Sequence, residues 1–241
     1  MSAGPLIVAH RGAWSHAQGR PQNSLAAFAH AVALGCEMVE FDVRRTADGE
    51  LVAVHDELIG GVAVGAQTAR ELTERMGRRP DALADVLHYA RGHIALDMEL
   101  KEPGYVEQVL AAVSEARFPA ERMIVTSFLD DVLAEVRERA PALRTGLLLG
   151  TAHPSPHLRT RLSELSPETR ARECGATYIA PHLALARLGA VRRGTAAGFP
   201  ALVWTVNRAA ELRTLLADSR VAGVITDAPE RALALRDGSV G

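Results

Sequence analysis

The chain has 241 residues, 48% hydrophobic and 23% charged, the balance of a folded globule and not of a disordered chain. Its formal net charge of -2 excludes the basic footprint of a sequence-independent nucleic-acid binder. Two cysteines, Cys36 and Cys174, give neither a disulfide framework nor a clustered zinc site, and they fit a reducing compartment.

The predicted elements alternate from end to end. A strand at Leu6–His10 precedes a helix at Ser24–Leu34, which opens on a serine suited to an N-cap and stops before Gly35. Strands Met38–Val43 and Leu51–His55 follow, joined through the turn Ala47-Asp48-Gly49. Helix Asp81–Ala90 leads to strand Ile94–Lys101, helix Tyr105–Ala116 to strand Met123–Phe128, and helix Asp130–Arg139 to strand Arg144–Leu149. Helix Arg159–Cys174 then precedes strand Ala176–Ala180, and helix Leu185–Ala197 precedes strand Ala201–Val206. Helix Ala209–Ala217, strand Gly223–Asp227 and helix Glu230–Arg236 complete the series.

Repeated βα units imply a parallel sheet, because each crossover needs a helix to return the chain. About eight such units in this length predict a single-domain α/β fold, a (β/α)8 TIM barrel with its core at about residues 6–236. An open doubly wound sheet is the rival, but the first strand runs into His10-Arg11-Gly12 and not a glycine-rich dinucleotide fingerprint. No leader or membrane span is expected, since no run approaches the ~20 apolar residues a span requires. The expectation is a cytoplasmic protein.

In a barrel, the chemistry gathers at the carboxyl ends of the strands. There the chain places His10-Arg11, Glu40-Phe41-Asp42, His55-Asp56 and Glu99-Leu100-Lys101. Residues two apart on a strand share a face, so Glu40 pairs with Asp42, and Asp97 with Glu99 and Lys101, on the inward side. Crowded inward carboxylates repel unless they are protonated, salt-bridged or metal-bound. Glu40, Asp42 and Glu99 offer the oxygen donors that one Mg2+ or Ca2+ takes. Arg11 and Lys101 add positive charge, which predicts an anionic substrate, most simply a phosphate ester. Lys101 is the single lysine among 27 basic residues. His10 and His55 supply proton exchange near neutral pH. A lone strand-end histidine is more often structural, and a lone Glu-x-Asp more often a surface pair; their coincidence at successive strand ends carries the argument.

The motifs His10-Arg11-Gly12, Pro21-x-Asn23, Glu40-x-Asp42-Val43, Thr46-x-Asp48-Gly49, His55-Asp56 and Glu99-Leu100-Lys101 resemble those of the glycerophosphodiester phosphodiesterase family. Ser127-Phe128, Pro181-His182, Val203-Trp204-Thr205-Val206-Asn207 and Gly223-Val224-Ile225-Thr226-Asp227-x-Pro229 continue the resemblance in the same order, over about Ile7 to Arg236. The resemblance implies a barrel that hydrolyses glycerophosphodiesters, such as glycerophosphocholine, to glycerol 3-phosphate and an alcohol. It implies His10 and His55 as the acid-base pair, Glu40, Asp42 and Glu99 as ligands of one divalent cation, and Arg11 and Lys101 as phosphate holders. It also implies that Trp204 faces the pocket, where it could pack on the glycerol. Asn23 is a candidate to hydrogen-bond near His10 or to shape the loop, and His182 a candidate substrate contact.

Three features depart from the family pattern. Gln22 stands where a glutamate is usual and Ser24 where a threonine is usual; the stretch after Asp56 lacks the usual arginine-threonine-threonine; and the segment before Pro80 is short. Two alternatives follow: a lysophospholipase D-like phosphodiesterase, or an impaired barrel acting as a binding module. No role is expected for His16, His30, His88, His93, His153 or His157, and Arg75, Arg78 and Arg79 read as a solvated face. The oligomeric state is left open.

Overall fold

Strand β1 (Leu6–His10) buries Ile7, Val8 and Ala9 on both faces, as a strand does when helices cover it outside and a packed interior lies within. The computed structural model describes residues 4–150, 164 and 166–238. β2 (Met38–Arg45) follows α1 (Leu25–Leu34) and pairs in parallel with β1, setting His10 opposite Glu40. Chain direction then reverses locally. β3 (Leu51–Ala53) runs antiparallel on the end of β2, and a small hairpin of β4 (Leu58–Ile59) and β5 (Val62–Ala63) leads to α2 (Ala69–Met76) and α3 (Leu83–Ala90).

The alternation resumes with β6 (Ala95–Leu100), parallel to β2 with Glu40 opposite Asp97 and Asp42 opposite Glu99. It continues through α4 (Val106–Glu115), β7 (Met123–Ser127), α5 (Asp130–Arg139), β8 (Arg144–Leu149), α6 (Glu168–Glu173) and β9 (Tyr178–Pro181). Helices α7 (Leu183–Arg187) and α8 (Ala190–Ala196), strand β10 (Ala201–Val203), α9 (Ala209–Leu216), β11 (Val221–Thr226) and α10 (Pro229–Arg236) complete it. β11 pairs in parallel with β1, so eight parallel strands close into a (β/α)8 barrel, as the sequence predicts.

The apolar residues form two layers. Between strands and helices lie Ile7, Val39, Phe41, Leu96, Met98 and Val125, packed on helical residues such as Phe28 and Leu87. Inside the barrel, Val8, Met38, Ile124, Leu148, Ala180, Leu202 and Ile225 form a plug. Two residues further along β1 and β2, the inward positions become His10 and Glu40. The barrel therefore changes from apolar to ionisable within one pleat.

Eight expected strands become the barrel, whereas Leu51–His55 supplies only β3, outside the parallel ring. The expected helix Leu185–Ala197 is two helices, broken around Gly189 at φ 90°. The strand expected to reach Val206 ends at Val203. Helix α2 was not foreseen: its capping box, Thr68 with Glu71, is clear, but Leu72 is its one buried residue. The start of the expected helix Arg159–Cys174, with His153 and His157, lies outside the described residues.

Candidate active site

The turn after β1 brings the first site residues together. Arg11 and Asn23 adopt the left-handed backbone at φ 58° and 57°, and Asn23 N donates to Arg11 O at 2.9 Å. Gly12 follows at φ 81°, where a Cβ would stand 2.8 Å from Ala27 Cβ and Phe28 Cδ1, so glycine lets the turn sit against α1. The backbone N of Arg11 donates to Glu40 Oε2 at 3.0 Å, and its guanidinium Nη1 donates to Gln22 Oε1 at 2.7 Å. Gln22 thus retains the acceptor oxygen that holds this arginine, without a carboxylate's charge. Arg78 donates to Gln22 O at 3.3 Å and is half-buried, so it differs from the exposed Arg75 and Arg79 with which the sequence groups it.

Three carboxylates converge beneath this turn. One oxygen each from Glu40, Asp42 and Glu99 lie within 4.8 Å of one another, the one such acidic or imidazole or thiol group of three among the described residues. All three are buried. Lys101 Nζ reaches Asp42 Oδ1 at 2.8 Å and Glu99 Oε1 at 2.7 Å, and Arg11 Nε lies 3.4 Å from Asp42 Oδ2. Burial alone would raise Asp42, but Lys101, His55 and Arg11 hold it well below the usual carboxylate range. Burial and the charges of Asp42, Glu99 and Asp97 push Glu40 well up, and burial carries Glu99 up to about 7 against the pull of Lys101. Such a set favours a multivalent cation, which replaces the protons and relieves the repulsion. These oxygen donors could hold a metal ion of the hard class.

Behind them stands Asp97, fully buried, with Oδ1 accepting from Thr126 Oγ1 at 2.8 Å and Oδ2 without a hydrogen-bond partner. Burial pushes its carboxyl up to about 7 despite that hydrogen bond.

The two histidines differ in their support. His10 Nδ1 lies 2.7 Å from Asp227 Oδ1, with its Nε2 3.8 Å from Glu40 Oε2. His55 Nδ1 lies 2.8 Å from Asp56 Oδ1, and its carbonyl accepts from Arg44 Nε at 3.0 Å. Burial lowers the His55 imidazole, and Lys101 and Arg11 lower it further, while Asp42 opposes them.

Asp227 is a functional candidate the sequence reading passed over. Its Oδ2 accepts from Asn207 Nδ2 at 2.7 Å, its own N donates to Asn207 Oδ1 at 2.9 Å, and Trp14 Nε1 donates to Oδ1 at 3.4 Å. The signal was present: Asp227 directly follows a barrel strand, the position rule that selected His10, Glu40 and Glu99. Asn23 shapes the loop through its backbone bond to Arg11 O, and its side chain pairs with Asp42. It is 1% exposed, donates Nδ2 to Asp42 Oδ2 at 2.8 Å and accepts from Asp42 N at 3.3 Å, so its amide is committed to orienting a carboxylate.

His10, Arg11, Glu40, His55, Glu99, Lys101 and Trp204 line one cleft. Phe128, Leu148, Trp204 and Ile225 add apolar surface to the same lining, continuous with the apolar plug. Trp204 is fixed by Nε1 donating to Ala180 O at 2.6 Å and by edge contacts with Phe128 and His182. His182 itself accepts from Ala184 N and caps α7, buttressing the tryptophan.

Fold and cleft together define a barrel enzyme equipped for anionic esters. The model of the glycerophosphoryl diester phosphodiesterase family matches residues 10–86 and 89–231. A glycerophosphodiester phosphodiesterase of Caldanaerobacter subterraneus is 30% identical, over 93% of this chain and 95% of its own. The crystal structure of a glycerophosphodiester phosphodiesterase from Parabacteroides distasonis is similar with a TM-score of 0.80 at 25% identity, covering 98% of each chain. At 21% identity, an Oleispira antarctica phosphodiesterase solved in complex with the product sn-glycerol-3-phosphate shares the fold, with a TM-score of 0.77 over 98% of both chains. The chain belongs to the glycerophosphoryl diester phosphodiesterase family and is an enzyme, a phosphoric diester hydrolase. No helix among the described residues is long and apolar enough to cross a membrane.

Proposed function

We propose that the chain hydrolyses small glycerophosphodiesters, such as glycerophosphocholine, to glycerol 3-phosphate and an alcohol, with His10 and His55 as the acid-base pair. The observation that carries this reading is the cleft lined by both imidazoles, two cationic side chains and Glu40 and Glu99, with the buried Asp42 completing the acidic triad within 4.8 Å. Glu40, Asp42 and Glu99 would hold one divalent cation, Mg2+ or Ca2+. When bound there, such an ion supplies charge neutralisation at the non-bridging oxygens of the phosphodiester.

The chain's own groups do the remaining work. Arg11 and Lys101 bind the phosphate and stabilise the charge that builds on it. Asp227 keeps the Nδ1 side of His10 occupied, which leaves Nε2 to take a proton from the attacking hydroxyl, of water or of the neighbouring glycerol carbon. His55 returns a proton to the departing alcohol oxygen. Trp204 and Phe128 pack on the glycerol carbons, and Asn23 orients Asp42. Cys36 and Cys174, free and buried, support the cytoplasm as the compartment.

Supplied with glycerophosphocholine, glycerophosphoethanolamine and lysophosphatidylcholine in turn, the enzyme should release glycerol 3-phosphate from the first two and leave the acylated lipid largely intact. Faster turnover of lysophosphatidylcholine would replace this reading with a lysophospholipase D-like one. Binding without turnover of any diester would make the chain a binding module.

A further inference from the structure

The acidic triad shares two of its oxygens with the chain's single lysine. Asp42 has both carboxylate oxygens engaged: Oδ2 with Asn23 Nδ2 at 2.8 Å, and Oδ1 with Lys101 Nζ at 2.8 Å. Glu99 gives Oε1 to the same ammonium at 2.7 Å. We infer that Lys101 is the built-in counter-cation of the triad, and that a divalent cation gains Asp42 and Glu99 by displacing it. This inference rests on the reading of Glu40, Asp42 and Glu99 as the cation's ligands.

Like charges would meet here in a confined space. An ammonium and a divalent ion on the same buried oxygens repel at close range, where water screens them poorly. One of them must withdraw. Lys101 has the means, because its backbone is anchored independently of its head, whose partners are the two carboxylates themselves. The Lys101 N donates to Tyr105 Oη at 3.1 Å, and that hydroxyl donates on to Val43 O at 2.7 Å. The flexible four-carbon stem beyond this anchor lets the ammonium change partners. Lys101 lines the cleft beside Arg11, so an ammonium that leaves the carboxylates stays where the phosphate binds. Cation and phosphate then favour each other's binding reciprocally. Arginine could not take this part: its rigid, forked guanidinium is made to hold carboxylates in pairs and lacks the compact, mobile charge.

Because Lys101 is the single lysine among 241 residues, lysine labelled with 15N at Nζ gives one ammonium signal that needs no assignment. MgCl2 or CaCl2 is titrated into the full chain without substrate, with calorimetry alongside. The signal should move, and its protons should exchange faster with water, both saturating at the calorimetric affinity. In calorimetry Lys101→Met should bind the cation about tenfold or more tightly than wild type, since the competing charge is gone. A lysine signal unchanged in position or protection while calorimetry reports a filled site would overturn the inference, as would equal or weaker binding by Lys101→Met. If that variant does not fold, the wild-type titration decides alone. Absence of cation binding to wild type would remove the ligand reading itself, and this inference with it; binding with an unmoved lysine would remove the competition only.

Discussion

His10 and Asp227 stand 217 positions apart in the chain and meet at 2.7 Å because β1 and β11 are neighbours in the closed ring. Burial would raise Asp227, but the hydrogen bonds from His10, Asn207 and Trp14 lower it. An aspartate with a depressed folded pKa stabilises the fold above its unfolded pKa, and that contribution is lost as pH falls through the folded value. Asp227→Asn should therefore lose stability at pH 7 by about 1–3 kcal/mol, with the gap to wild type closing below about pH 4 in denaturant melts. The same variant should turn over about tenfold or more slowly, because an amide can present its NH2 to His10 and misorient the ring. His10→Ala and His55→Ala should each lose about 100-fold or more in kcat while their circular dichroism stays that of wild type. Near-wild-type rates in either would remove it from the acid-base pair.

At the scale of elements, the strand ends hold the site through backbone anchors. Tyr105, just before α4, accepts from the N–H groups of Lys101 and Glu102 at 3.1 and 3.2 Å and donates to Val43 O across the β2–β6 seam. Tyr105→Phe strands these buried groups and should cost about 1–3 kcal/mol in chemical denaturation, with a higher KM if Lys101 loosens. In the turn after β1, Gly12→Ala should destabilise by about 1–3 kcal/mol or more, since its Cβ meets Ala27 and Phe28 at 2.8 Å. A melt superimposable on wild type would contradict either packing argument. These elements also explain what could be seen beforehand. The barrel strands were legible because their apolar runs are buried on both faces and bounded by helical periodicity. Glu40, Asp42, Asp97 and Glu99 were legible as inward residues because period two leaves no other face for them. Helix α2 was not, because its eight residues are mostly polar and bury only Leu72, although the capping box of Thr68 and Glu71 marks its start. Asn23's service to Asp42 was equally hidden: no spacing rule joins a loop amide to a strand carboxylate 19 positions on.

Across the whole molecule, an apolar plug supports an ionisable layer, and that layer is the least self-sufficient part of the fold. Its buried carboxylates outnumber the cations beside them, and burial, with repulsion added, raises Glu40 and Glu99. A ligand that binds only the folded chain stabilises it by mass action, so a cation held by the triad should raise the unfolding temperature as its concentration rises. Glu40→Gln should weaken that thermal shift and the activity together, even though the neutral side chain relieves repulsion. The most direct measurement is glycerol 3-phosphate release from glycerophosphocholine by wild type before EDTA treatment, after it, and after Mg2+ or Ca2+ is returned. Activity should disappear on chelation and come back with the cation; full activity after exhaustive chelation would remove the acidic triad's role as a cation site.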